Sequence, residues 1–321
     1  MIPEMADILF RVPLTAAVRQ VLGDTHALHE VAGAEPAALA ARCAGARVLV
    51  TNGITGASRA QMEALPELAM ICCLGTGYEN VDVEAARTRG IVVTHGAGSN
   101  AAAVADHAMA LLLCAMRDLP WLDREARQGL WRDNVGLRPI PTGKRLGLLG
   151  LGAVGEKIAR RAAGFDMTIA YHTRRARAEV PWSHVGSAQA LAEQSDCLIV
   201  AVPGGATTFH MVDAAVLRAL GPQGFLVNVG RGSVVDSAAL ASALQEGTIA
   251  GAALDVFEGE PEIPAALLAA PRLLITPHVA AWAPEVRMAG TELLRQNIEA
   301  VLAGKPPVTP VPEMRAGATA A

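Results

Sequence analysis

The sequence predicts an α/β fold of two doubly wound parallel sheets, and three observations carry that prediction. Short, nearly continuous apolar runs alternate with longer Ala/Leu-rich amphipathic stretches, as in parallel strands buried on both faces and joined by helices. The runs form two series, one before about residue 98 and one after about residue 144. At the usual ~150 residues per domain, the 321 residues suffice for two domains with substantial cores.

In the first series, ARVLVTN (46–52), LAMICCLG (68–75) and GIVVTH (90–95) read as strands. A helix from Asn100 to Met116 follows. The second series opens with KRLGLLGLG (144–152) and a helix from Val154 to Ala163, then MTIAYHT (167–173), DCLIVAVP (196–203) and GFLVNVG (224–230). A helix from Ser237 to Gln245 separates these from IAGAALDVF (249–257) and RLLITPHV (272–279). The tail from Ala303, with Pro306, Pro307, Pro310 and Pro312 and then small residues, is expected to fray.

Composition narrows the function. With 27 Lys+Arg against 31 Asp+Glu the formal charge is −4, which gives no electrostatic case for a nucleic-acid partner. The apolar run from Ala108 to Met116 falls well short of the ~18 to 20 residues a membrane span needs, so no membrane association is expected. The N-terminal MIPEMADILFRVPL has no basic region followed by a long apolar one, and a cytoplasmic location is expected. Cys43, Cys72, Cys73, Cys114 and Cys197 show no CxxC spacing and read as reduced, buried thiols. His95, His107 and His210 lack metal-ligand spacing and read as structural, and no metal is expected.

The most informative local feature is Gly150-Leu-Gly152-Ala-Val-Gly155, directly after a strand and directly before a helix. Gly150 would make the tight turn, Gly152 would admit a pyrophosphate, and Gly155 would let helix pack on strand, with the helix N-terminus supplying N–H donors. An NAD site is expected to carry an acid at the end of the next strand, about 20 residues on, to bind the adenosine ribose. Here that strand ends in His172-Thr173-Arg174-Arg175. A carboxylate would repel a 2′-phosphate, whereas Arg and Thr can donate to it, so NADP is the expected cofactor, with NAD as the other option.

Further motifs are Val227-Asn-Val-Gly-Arg231-Gly-Ser-Val-Val-Asp236, Leu254-Asp-Val-Phe-Glu-Gly-Glu260-Pro261 and Thr276-Pro-His278. Together with Gly75-Thr-Gly77-Tyr-Glu-Asn80-Val-Asp82, Val104-Ala-Asp106 and Val202-Pro-Gly204-Gly205 with Thr208, they run in order from about Val48 to Pro307. On these the chain resembles the D-2-hydroxyacid dehydrogenase family, in its glyoxylate/hydroxypyruvate reductase branch. The resemblance implies catalytic roles for Arg231, Glu260 and His278. Those residue types suit the reaction: His278 supplies a proton near neutral pH, Glu260 orients and favours the protonated ring, and Arg231 offers a fork to a carboxylate.

The resemblance further implies that backbone N–H groups of Thr76 and Gly77 hold the substrate carboxylate, that Asp255 accepts from the nicotinamide carboxamide, and that Val104 packs on the ring. It places Gly150, Gly152, Ala153, Val154, Gly155, Val202, Pro203, Thr208 and Val229 around the cofactor. Asp82, Asp106, Asp196 and Asp236 read as helix caps or turn closers. Two segments depart from the commoner pattern. Thr94-His95-Gly96-Ala97-Gly98-Ser99-Asn100 replaces a Pro-containing hinge, and Trp282 stands where a small or hydroxyl residue is usual, expected to overhang the substrate's side chain.

The expected organisation is a flavodoxin-like substrate domain from 1–98 and 284–321, interrupted by a Rossmann cofactor domain at 99–283, with a hinged cleft between them. The expected reaction is NADPH-dependent reduction of glyoxylate or hydroxypyruvate to the D-2-hydroxy acid. The family implies a homodimer formed through the segment Leu119 to Asn134, with Trp121 and Trp131. Alternatives are a reductase of a bulkier 2-keto acid such as phenylpyruvate, and a dinucleotide-sensing binding module without turnover.

Overall fold

A computed structural model describes residues 5–31 and 35–315. The chain divides into two compact units, one made of 1–100 with 283–321 and the other of 101–282.

Unit 1 is a parallel sheet of β1 (Asp7–Phe10), β2 (Ala27–Glu30), β3 (Val48–Asn52), β4 (Met70–Leu74) and β5 (Val92–His95), in the order β2-β1-β3-β4-β5. That is the flavodoxin-like doubly wound order. The strands alternate two buried faces. Ile8, Phe10, Val48, Val50 and Met70 pack with Leu294 and Ile298 of the helix Pro284–Leu302, while Leu9, Leu49, Ile71 and Val93 pack with Ala85 and Ala86 of the helix Val83–Thr88. The C-terminal helix therefore completes the core of the N-terminal sheet.

Two features of unit 1 differ from the sequence reading. Strands β1 and β2 precede the first run that reads as a strand: β1 offers only three apolar residues, Ile-Leu-Phe, and β2, Ala-Leu-His-Glu, is a partly exposed edge with no apolar run. The tail is also ordered as far as Arg315 instead of frayed. Asn297 Oδ1 accepts from the Val308 and Thr309 amides at 2.9 and 3.0 Å, and Val311 N donates to Val93 O at 3.0 Å. Val311 is fully buried, so an apolar anchor outweighs the prolines around it. The last part of the expected fraying, 316–321, lies outside the described residues.

Unit 2 is a parallel sheet of β6 (Arg145–Leu149), β7 (Thr168–His172), β8 (Ser183–His184), β9 (Cys197–Val200), β10 (Phe225–Asn228), β11 (Gly251–Leu254) and β12 (Leu273–Ile275). Its order, β12-β11-β10-β9-β6-β7-β8, is that of a Rossmann fold, reversing direction between β6 and β9. Leu146, Leu148, Cys197, Ile199, Phe225 and Val227 face the helix Ala101–Arg117, and Leu198, Val200, Leu226 and Leu254 face the helix Ser237–Glu246. β8, two exposed residues at an edge, had no sequence signal.

Asp82 and Asp236 cap helices, accepting from Ala85 N at 2.8 Å and from Ala239 N at 2.9 Å, and Asp196 accepts from Arg145 N at 2.8 Å. Asp106 is no cap: it lies inside the helix Ala101–Arg117 and pairs with Arg161 of the helix Ala153–Ala163. All five cysteines are free, but only Cys72, Cys73 and Cys197 are buried as expected; Cys43 and Cys114 are partly exposed, and burial pushes the Cys72 thiol up to about 11. Among the described residues, no helix is long and apolar enough to cross a membrane.

Candidate active site

The sequence motifs of unit 2 fall in the loops that leave the carboxyl ends of its strands. In a doubly wound sheet these ends, next to the reversal in strand order, are where ligands bind.

After β6, Gly150 turns at φ +99°, a conformation L side chains rarely adopt, and its N–H donates to His172 O at 3.0 Å. A Cβ on Gly155 would lie 2.1 Å from Gly150 O, so only glycine lets the helix Ala153–Ala163 start this close to the strand. The first helical bond runs from Glu156 N to Gly152 O (2.9 Å), and no side chain caps the helix. The amides of Ala153, Val154 and Gly155 thus stand ahead of the helical ladder, with the positive end of the helix behind them. A Cβ at Gly152 would meet nothing within 4 Å, so there is room above the loop. These features fit the pyrophosphate of a dinucleotide.

The turn after β7 splits the basic residues into two kinds. Arg174 and Arg175 are exposed, and their guanidinium groups make no ion pair or hydrogen bond among the described residues. Arg177 is committed instead: its Nη1 donates to Leu151 O of the glycine loop and its Nε to Glu179, both at 2.6 Å. This tie between turn and loop has no signal in the sequence beyond a nearby arginine. His172 Nδ1 donates to Val185 O at 2.8 Å, and Thr173 Oγ1 donates to Arg175 O at 2.7 Å. The Thr173 proton is thereby used within the turn, which leaves cation donation to Arg174 and Arg175.

After β9, Val202 and Pro203 lead into a loop closed by Thr208, whose hydroxyl donates to Pro203 O at 2.8 Å. Val104 and Val229 are both buried in the apolar cluster on one face of the sheet. After β10, buried Asn228 shapes the chain around Arg231. Its Oδ1 accepts from Gly230 N and its Nδ2 donates to Arg231 O, each at 3.0 Å. Arg231 Nη1 donates to Gly230 O at 2.8 Å, and its aliphatic stem lies over Gly204.

Glu260 and His278 come together from the loops after β11 and β12. His278 Nδ1 lies 2.6 Å from Glu260 Oε2, and Glu260 Oε1 accepts from Phe257 N at 2.9 Å. An ionised carboxylate only accepts, so Nδ1 carries the proton of this bond and Nε2 is the nitrogen left for exchange. The imidazole remains 43% exposed. His278 also has φ +54°, a strained backbone for a residue with a Cβ.

Asp255 holds that strain in place. It is 1% exposed; Oδ1 accepts from Thr276 Oγ1 at 2.6 Å and Val279 N at 2.9 Å, and Oδ2 from Ala280 N at 2.9 Å. The His278 N–H donates to Asp255 O at 2.8 Å, and His107 Nε2 lies 3.0 Å from Thr276 Oγ1. Burial pushes the Asp255 carboxyl up, but hydrogen bonds from His107, Thr276 and the two amides outweigh it and hold it below its ordinary value. A supporting role for His107 and Asp255 beneath His278 was not read from the sequence.

Trp282 ends unit 2 at 76% exposure, its N–H closing a turn on Val279 O at 2.8 Å. In unit 1, Thr76 and Gly77 lie in the loop after β4, and their N–H groups have no acceptor among the described residues.

Residues 109–280 match the family model described as D-isomer specific 2-hydroxyacid dehydrogenase, NAD binding domain. The chain is 38% identical over 274 residues to a hydroxyphenylpyruvate reductase of Plectranthus scutellarioides, covering 85% of this chain and 88% of that one. It is 38% identical over 266 residues to a glyoxylate/hydroxypyruvate reductase of Arabidopsis thaliana, covering 83% and 85%. Among solved structures, an NADPH-dependent glyoxylate/hydroxypyruvate reductase from Sinorhizobium meliloti, in complex with NADP and malonate, superposes with a TM-score of 0.88 at 40% identity, covering 97% of this chain and 98% of that one.

Proposed function

The chain belongs to the D-isomer specific 2-hydroxyacid dehydrogenase family of NAD(P)-dependent enzymes, and from that premise we propose that it reduces glyoxylate or hydroxypyruvate to the D-2-hydroxy acid with NADPH. The observation that carries the reading is the 2.6 Å His278–Glu260 pair, which leaves Nε2 of a solvent-accessible imidazole to deliver a proton. The relatives are named as reductases, which sets aside the sensing module.

In this reading unit 2 holds the cofactor and the proton-transfer residues. When bound, the reduced nicotinamide supplies the hydride to the keto carbon. The chain's own residues do the rest. On unit 1, the Thr76 and Gly77 N–H groups are the proposed receivers of the substrate carboxylate; on unit 2, Arg231 offers a guanidinium that donates toward the carbonyl oxygen. His278 Nε2 releases a proton to that oxygen as it becomes a hydroxyl, while Glu260 holds Nδ1 and fixes the orientation of the ring. On the cofactor side, the Ala153, Val154 and Gly155 amides face the pyrophosphate and Arg174 faces the 2′-phosphate; the S. meliloti relative, solved with NADP, supports that choice.

A second substrate reading has its own support. The exposed Trp282 indole and the hydroxyphenylpyruvate reductase relative both favour an aromatic 2-keto acid. Steady-state assays of glyoxylate, hydroxypyruvate, phenylpyruvate and hydroxyphenylpyruvate with NADPH and NADH decide between them. The highest kcat/KM is expected for a small acid with NADPH; a higher value for an aromatic acid establishes the second reading, and no turnover of any of them overturns both.

Self-association through unit 2 completes the proposal. Beside the helix Leu119–Ala126, Leu119, Trp131, Leu137 and Ile140 are exposed, with Leu137 fully so. Trp121 and Leu137 line a cavity of about 790 Å³ with Pro222 and Phe225, at the end of the sheet remote from the candidate site. These exposed apolar side chains support an interface in this segment, and a second copy of the chain is the proposed occupant.

A further inference from the structure

We propose that His95 is a positioning residue for carboxylate recognition: with the Gly96 amide, its imidazole turns the N–H groups of Thr76 and Gly77 outward as a matched pair of donors. The inference deepens the reading above and rests on it, since that reading assigns the substrate carboxylate to those two amides.

The argument starts from the peptide plane. A trans peptide points its C=O and its N–H in opposite directions, so fixing one fixes the other. The Gly75 carbonyl belongs to the same peptide as the Thr76 N–H, and Gly96 N donates to Gly75 O at 2.6 Å. The Thr76 carbonyl belongs to the same peptide as the Gly77 N–H, and it bonds His95 Nδ1 at 2.9 Å. A carbonyl only accepts, so Nδ1 is the donor. Two consecutive residues at the end of β5 thus hold two consecutive carbonyls, and two consecutive amides face the other way. A carbonyl engaged in this way also polarises its peptide and strengthens the N–H as a donor.

The grip is itself held. His95 N donates to Thr309 O at 3.1 Å, and Thr309 Oγ1 donates to His95 O at 2.6 Å. Asn297 of the C-terminal helix accepts from Thr309 N at 3.0 Å, which ties the strand end to the unit's core. The Tyr78 ring meets the imidazole edge-on, with centroids 5.3 Å apart at 80°. At Gly96 a Cβ would lie 2.8 Å from Gly75 O, so no larger residue keeps the second contact without a shift. The segment that departs from the commoner family pattern therefore forms the back of the proposed carboxylate site, and His95 does more than the structural role its sequence context suggested.

The test compares wild type, His95→Ala and His95→Asn, because Asn Nδ2 sits near the position of His Nδ1 and can restore the bond without the ring. Glyoxylate kinetics with NADPH, inhibition by oxalate and NADPH titration are measured, with folding checked by circular dichroism. His95→Ala is expected to raise the glyoxylate KM and the oxalate Ki together by about tenfold, the worth of one neutral hydrogen bond, with a smaller fall in kcat. His95→Asn should recover most of both, and NADPH affinity should hold throughout.

Unchanged KM and Ki in His95→Ala overturn the proposal, as does an asparagine variant no better than alanine, or parallel loss of kcat and NADPH affinity. If wild type reduces keto acids while His95→Ala matches it, only the role of His95 fails. If wild type neither reduces them nor binds oxalate, the underlying reading fails and takes this inference with it.

Discussion

At the carboxyl end of the unit 1 sheet the candidate donors are main-chain amides, Thr76 and Gly77, whereas at the carboxyl end of the unit 2 sheet they are side chains, Arg231 and His278. The supports differ in the same way. The amides are aimed from behind by an imidazole and another amide, while the His278 loop is fixed from below by two carboxylates, Glu260 on the ring and Asp255 on the backbone. An amide N–H binds an anion but has no proton to give at neutral pH. An imidazole held by a carboxylate does. On the proposed reading, main-chain donors in unit 1 serve anion binding alone, and proton transfer falls to a side chain of unit 2.

The largest expected effect puts that separation at risk. His278→Ala should lower kcat by about 10²-fold or more, the range general acid catalysis supplies, with NADPH affinity little changed. Glu260→Gln should fall in the same direction by less, since the amide can still hold the ring in place but weakens the charge-assisted bond to Nδ1. If single-turnover kinetics show a normal chemical step in His278→Ala, proton transfer does not reside in unit 2's imidazole.

The same division explains what was legible in the sequence. The roles proposed for Arg231, Glu260 and His278 are side-chain roles, so their residue types announce a chemistry, and long motifs surround them. The glycine loop was legible because missing side chains are also a signal. A backbone donor announces nothing: any residue has an N–H, and its direction depends on a carbonyl bond made 19 residues away, as between His95 and Thr76. His95, His107 and Asp255 were therefore undervalued as supports, because each works through a contact distant in sequence. The short edge strands and the ordered tail were missed for a related reason: β2 is stabilised by pairing with β1, and Val311 by a pocket that only the folded sheet provides.

A medium-sized effect sharpens the comparison within unit 2, where one turn holds two free cations and a committed one. Arg174→Ala should lower kcat/KM for NADPH about 10-fold or more at low ionic strength and leave NADH nearly unchanged, as one charge-assisted bond to a 2′-phosphate is worth that much. Arg177→Ala should impair both nucleotides, because Arg177 holds the Leu151 carbonyl of the shared loop. Equal losses for the two nucleotides in Arg174→Ala would show that its side chain does not read the phosphate.

The smallest expected effect concerns stability, and it tests whether Asp255 supports the His278 loop as a carboxylate. Its carboxyl is held below its ordinary value in the folded state, because four donors outweigh its burial. A depressed folded pKa means that its stabilisation is present above the unfolded pKa, about 3.9, and is lost as pH falls through the folded value. Asp255→Asn removes the charge and leaves one of the Thr276, Val279 or Ala280 donors poorly matched, so at pH 7 it should melt a few degrees below wild type, on the order of 1 kcal/mol. Between about pH 5 and pH 3 the wild-type Tm should fall toward that of the variant, since only wild type has this proton to take up. Melting curves that stay parallel over this range would mean that Asp255 holds the His278 loop by shape alone, and that its charge contributes nothing to the candidate site.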